Sequence, residues 1–197
     1  MPTIYYIRHG ETDWNANGRL QGAQDVPLND LGRSQSVHAG HILADLFARD
    51  GRGARSLKFV ASPLGRARQS MELLRAVLKL PLSGYAIDDR LREIAYGEWE
   101  GFTLSEIQAR DPELFERRQA AKWTVAPPGG ENYVSVQARM SRWYSELETD
   151  TVAVAHGGTA RALMVALGFK TPESACDLII EQGAVYVFGD GSLAKYS

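Results

Sequence analysis

Three short apolar runs, set far apart and separated by amphipathic stripes, constrain the fold of this chain most. Residues 4–7, 57–61 and 151–155 are apolar almost throughout, as expected of strands buried on both faces of a sheet. Between them, Ala39, Ile42, Leu43, Leu46 and Phe47 recur at helical spacing, as do Leu64, Ala67, Met71, Leu74 and Leu78, and later Tyr133, Val136, Met140, Trp143 and Leu147. Strand runs alternating with helical stripes predict an α/β fold, a three-layer αβα sandwich around a mostly parallel sheet with right-handed crossovers. Residues 184–188 and the turn Gly189-Asp190-Gly191 predict a closing hairpin that adds a C-terminal antiparallel strand, and residues 81–87 supply an edge strand.

Helices are expected over 31–47, after the capping pair Asn29-Asp30, over 64–78, and over 160–167. The polar stretch 13–28 reads as a loop. Residues 90–130 have the least regular pattern, with short helical stretches at 104–107 and 114–118 before Pro127-Pro128-Gly129-Gly130, and read as a lid-like insertion. Glu131 is expected to cap the helix that follows. At 197 residues the chain suits one domain spanning 1–197.

A formal net charge of -2 supplies no global field for nucleic acid, so an anion site must come from locally grouped arginines. The single cysteine, Cys176, is expected as a small core residue, and a cytoplasmic location is expected. No apolar run approaches the roughly 20 residues that span a bilayer, so no membrane partner is expected. His38, His41 and Asp45 share a helix surface but read as solvated side chains; no metal and no cofactor are expected.

The strand runs end in reactive groups: the first in Arg8-His9-Gly10, the second in Ser62 and Arg66, the third in His156-Gly157. In an open α/β sheet the ligand crevice lies outside the carboxyl ends of the strands, so these groups should converge. Arginine presents a fixed fork of donors to phosphate oxygens, and a neutral imidazole is a nucleophile or proton carrier near pH 7. The combination points to phosphoryl chemistry on a small anionic substrate.

The same residues resemble the histidine phosphatases, the phosphoglycerate mutase-like superfamily. Arg8-His9-Gly10-Glu11-Thr12-Asp13-Trp14-Asn15 is similar to its signature, continued by Gln21-Gly22, and Ser62-Pro63-Leu64-Gly65-Arg66-Ala67 to its second motif. Leu91-Arg92-Glu93-Ile94-Ala95-Tyr96-Gly97-Glu98-Trp99-Glu100-Gly101 resembles the third, and Ala155-His156-Gly157-Gly158 the last. The resemblance implies a phosphorylated nucleophile at His9, phosphoryl-oxygen ligands at Arg8, Asn15, Arg66 and His156, and a proton donor at Glu93. Arg19, Gln21, Gly22 and Gly157 are implied substrate-binding residues; Glu93 lies in a charged stretch with Glu98 and Glu100 nearby, where a glutamate is ordinarily solvated, and only the motif selects it. The implied activity is metal-independent hydrolysis of a small phosphorylated metabolite, of the histidine acid phosphatase type, with a homodimer as the candidate assembly. A bisphosphoglycerate-dependent mutase and a silent phosphate-binding module are the alternatives; against the mutase, Arg117-Arg118 stand well before Pro127-Pro128, with Trp123 between.

Overall fold

A computed structural model describes residues 2–197. The fold is visible in the alternation of its first strand, β1 (Ile4–Arg8). Ile4 and Tyr6 enter one buried cluster, Tyr5 and Ile7 another on the opposite face. The second cluster is completed by α2 (Asp30–Arg49) and α3 (Gly65–Val77), the first by α6 (Tyr133–Ser145) and α7 (Gly157–Ala166), which makes three layers. β4 (Thr151–Ala155) divides its side chains the same way, Ala153 and Ala155 to one core and Val152 and Val154 to the other.

With β2 (Lys58–Ala61), β3 (Ala86–Ile87), β5 (Val185–Gly189) and β6 (Ser192–Tyr196), the sheet runs in the order β3-β2-β4-β1-β5-β6. β1 and β2 both pair parallel with β4, β3 pairs parallel with β2, and β5 is antiparallel to β1 and β6. The hairpin turn places Asp190 and Gly191 at positive φ, the geometry that matches strand twist in a two-residue turn. Among the described residues no helix is long and apolar enough to cross a membrane.

Several expectations need correction. The edge strand shrinks to Ala86 and Ile87, because the backbone at 81–85 is spent in turns, Gly84 N donating to Pro81 O and Tyr85 N to Ser83 O. The loop 13–28 contains a turn of helix, α1 (Asp13–Ala16), started by a reciprocal cap between Thr12 and Asn15. α7 begins at Gly157, three residues earlier than expected, with Ala160 N already donating to His156 O at 3.1 Å. A one-turn helix, α8 (Pro172–Cys176), is too short to have shown a stripe. The cap of α6 is Asn132, whose side chain accepts from Ser135 N at 3.0 Å. Glu131 instead accepts from Ala95 N at 3.0 Å and pairs with Arg139 at 3.2 Å.

Residues 88–131 form short 3-10 turns, α4 (Leu104–Arg110) and α5 (Pro112–Ala120), around a satellite cluster of Trp99, Ile107 and Phe115. The segment is stitched to the loop after α1: Leu20 N donates to Phe102 O at 3.0 Å and Gly101 N to Leu20 O at 2.8 Å. Glu100 Oε1 accepts from Ala23 N at 2.9 Å and Tyr96 N at 3.1 Å.

Candidate active site

Because β1, β2 and β4 are mutually parallel, their carboxyl ends open on one edge of the sheet. Gly10 lets the exit from β1 lie against the start of α2, since a Cβ there would fall 2.0 Å from Gly32 O. The resulting cavity, about 180 Å³, is lined by Arg8, His9, Asn15, Arg19, Leu20, Gln21, Gly22, Arg66, Glu93, Tyr96, Gly157 and Arg161. A larger groove of about 620 Å³ follows the edge strand, but it gathers paired charges such as Asp88, Arg90 and Glu146 with neither histidine, so chemistry places the site in the smaller one.

His9 is buried, with Nδ1 2.7 Å from Gly10 O. A carbonyl only accepts, so Nδ1 carries the ring proton and Nε2 is bare. Nε2 lies 3.3 Å from Arg66 Nε, which donates to it. Burial first, then the Arg66 and Arg8 guanidiniums, hold the His9 imidazole well below its ordinary pKa, so it is neutral, with an unprotonated Nε2 whose lone pair the Arg66 N–H holds toward the cavity until substrate arrives. Arg66 is itself 0% exposed and held by the carbonyls of Gly22, at 2.8 Å, and Gln24. Arg8 donates to Ile180 O at 2.7 Å, while its buried Nε has no partner among the described residues.

His156 follows β4 and stands at the N-cap position of α7 without a side-chain cap hydrogen bond; its ring centre is 5.1 Å from that of His9. Nε2 meets Ser62 Oγ at 2.7 Å, and the buried Nδ1 has no hydrogen-bond partner among the described residues. Burial, followed by Arg66, His9, Arg139 and Arg8, pushes His156 well below the usual imidazole range. Glu93 Oε1 accepts from Ile94 N and Gly158 N, both at 2.9 Å, at the N-terminus of α7. Gly158 makes this approach possible, since a Cβ there would lie 2.3 Å from Glu93 Oε1. Arg139 clamps the loop from α6, donating to Arg92 O at 2.7 Å and Glu93 O at 3.3 Å.

All ten residues singled out in the sequence thus meet at or beside one cavity, in different capacities. Asn15 uses Oδ1 to accept from Gln182 Nε2 at 2.9 Å, leaving its NH2 to donate. Gln21 is buried, with Oε1 unpartnered among the described residues. Gly22 contributes the carbonyl that holds Arg66, and Arg19 stands at the rim, paired with Glu106 at 2.9 Å. Gly157 separates two guanidiniums: a Cβ on it would lie 3.6 Å from Arg161 Nη1 and 3.7 Å from Arg8 Nε. Sequence reasoning missed Arg161, Gly158 and Arg139. The first two could have been found by continuing the His156-Gly157-Gly158 motif one turn into α7; Arg139 lies on a remote helix and left no signal.

The whole chain is similar to known proteins of one superfamily. The family model for the histidine phosphatase superfamily (branch 1) matches residues 4–190. A glucosyl-3-phosphoglycerate phosphatase of Mycolicibacterium vanbaalenii is 38% identical over 83% of this chain and 73% of its own. A 2,3-bisphosphoglycerate-dependent phosphoglycerate mutase of Gloeobacter violaceus is 30% identical over 99% of this chain and 90% of its own. The solved structure of a mycobacterial glucosyl-3-phosphoglycerate phosphatase in complex with VO3 superposes with a TM-score of 0.80 at 30% identity, covering 100% of this chain and 96% of that one.

Proposed function

Since this chain belongs to the histidine phosphatase superfamily, we propose that it is a phosphoric monoester hydrolase of the histidine acid phosphatase type, acting on a small phosphorylated metabolite through a phosphohistidine. The observation that carries this reading is His9, a neutral imidazole whose bare Nε2 faces the cavity's guanidiniums. In the first step Nε2 attacks phosphorus and the bond to the ester oxygen breaks, with Glu93 giving a proton to the departing alkoxide. Water then attacks the phosphohistidine, Glu93 takes its proton, and inorganic phosphate leaves. Arg8, Arg66, Asn15 and His156 hold the phosphoryl oxygens throughout; positioning and fixed charge supply most of the acceleration in phosphoryl transfer.

Arg161 and Tyr96 extend the cavity beyond the phosphoryl end. Arg161 is oriented by Leu178 O at 2.9 Å and Tyr133 Oη at 3.3 Å, and it receives an anionic or hydroxylated group of the part that is not transferred. A phosphorylated acid of the phosphoglycerate kind, in keeping with the mycobacterial relatives' substrate, fits such a site. Residues 90–130 act as the lid over it.

The mutase reading is kept alive by the relative that matches almost the whole chain. A mutase must exclude water while its intermediate reorients. The deciding experiment supplies 3-phosphoglycerate with and without 2,3-bisphosphoglycerate and measures 2-phosphoglycerate and free phosphate. Hydrolysis predicts phosphate accumulation independent of bisphosphoglycerate; bisphosphoglycerate-stimulated 2-phosphoglycerate outrunning phosphate release would give the assignment to the mutase.

A further inference from the structure

Building on the phosphatase reading, we infer that Ser62 is a positioning residue that makes His156 a hydrogen-bond donor to the transferred phosphoryl group. It does so by giving its hydroxyl proton to Nε2, which leaves the ring proton on Nδ1.

Ser62 sits at the end of β2, wholly buried, and its Oγ accepts from Leu64 N at 3.4 Å. Its own proton has one acceptor in reach among the described residues, His156 Nε2 at 2.7 Å. With the imidazole proton on Nε2, the serine proton would have nowhere to go and Nδ1 would be a bare acceptor without a donor. With the proton on Nδ1, the serine is satisfied and one group is left over, a buried N–H beside His9. A buried donor left unpaired is unfavourable until an acceptor arrives, and a phosphoryl oxygen is such an acceptor.

The two rings are therefore held in the same tautomer by opposite devices. His9 has an acceptor, Gly10 O, at Nδ1, which leaves Nε2 without a proton and so able to attack once Arg66 turns to the phosphoryl group. His156 has a donor, Ser62, at Nε2, which frees Nδ1–H to bind. One neutral ring thereby offers a lone pair and its neighbour a proton, a division of labour set wholly by what each contacts on its hidden side.

The test is a ring ¹H–¹⁵N correlation spectrum of histidine-labelled protein at neutral pH, with His156 assigned from the His156→Gln variant. His156 should be in the Nδ1–H form, and inorganic phosphate should shift that Nδ1–H resonance. Ser62→Ala should move His156 toward the Nε2–H form, leave His9 unchanged, and lower kcat/KM for phosphate release by about tenfold or more. An Nε2–H form of His156 in the wild type, or a folded Ser62→Ala variant within twofold of wild-type kcat/KM, overturns the inference. Should Ser62→Ala fail to fold, the wild-type tautomer and its response to phosphate decide alone. Should the wild type release phosphate from no ester, the phosphatase reading falls while the spectrum still tests the role of Ser62.

Discussion

Gly158→Ala is the most informative single change, because it adds one carbon at the point where α7 meets Glu93. The new Cβ would stand 2.3 Å from Glu93 Oε1 and 2.7 Å from Ile94 Cγ2. Ordinary contact needs about 1 Å more, so the carboxylate must leave its seat on Gly158 N and move by about that distance. A displacement of about 1 Å in a reacting group lowers rate by about 10²-fold, or about 2.7 kcal/mol in the barrier. The fold should survive. Alanine in a helix is about 0.5–1 kcal/mol better than glycine, which offsets part of the roughly 1–3 kcal/mol of crowding against buried Ile94. At about 2–4 °C per kcal/mol for a chain of this size, Tm should fall by less than about 10 °C. The assay compares an alkyl phosphate, whose leaving oxygen needs a proton, with p-nitrophenyl phosphate, whose leaving group does not. The alkyl ester should lose about 10²-fold in kcat/KM, whereas p-nitrophenyl phosphate should give a burst of p-nitrophenol stoichiometric with enzyme, followed by slow turnover as water attack lacks its base. A folded variant that hydrolyses both esters at wild-type rates, or loses both equally without a burst, would refute the placement of Glu93 as proton donor and base.

Rapid quenching with labelled substrate should trap an acid-labile, base-stable phosphoramidate on the wild type; His9→Ala should lose label and turnover together, and label on serine or cysteine would reject the nucleophile. His9 and His156 are both kept neutral in the fold, chiefly by burial, whereas in the unfolded chain each takes up a proton as pH drops through about 6.5. Their contribution is therefore complete above that pH and is lost below it, at up to about 1.4 kcal/mol per pH unit for each ring. Urea midpoints measured from pH 7 to pH 5 should fall accordingly, and His156→Gln should flatten the decline by about half. Arg161→Met should raise KM for 3-phosphoglycerate by about tenfold, the worth of a charged hydrogen bond, and leave p-nitrophenyl phosphate within twofold; equal losses on both esters would place Arg161 in the phosphoryl subsite instead.

What could be read from the chain alone was whatever local periodicity or residue order encodes. The continuous apolar runs of β1 and β4 and the stripes of α2, α3 and α6 are properties of short windows, and they predict the layers from the sequence alone. The reactive ends of β1, β2 and β4 converge because parallel strands share an edge, a consequence of topology class rather than of detail. Tertiary structure decided what depends on partners distant in sequence. Which nitrogen of each histidine is bare follows from Gly10 O in one case and Ser62 Oγ, 94 positions from His156, in the other. Glu93 and Glu100 looked alike in a charged stretch, yet one sits on the amides of α7 and the other on those of Ala23 and Tyr96. Arg161 joined the cavity, and Arg139 came to hold the Glu93 loop, only once α6 and α7 packed on the sheet. Hydrogen-bond direction and burial are set by three-dimensional neighbours, so charge state, tautomer and reach emerged only in the folded chain.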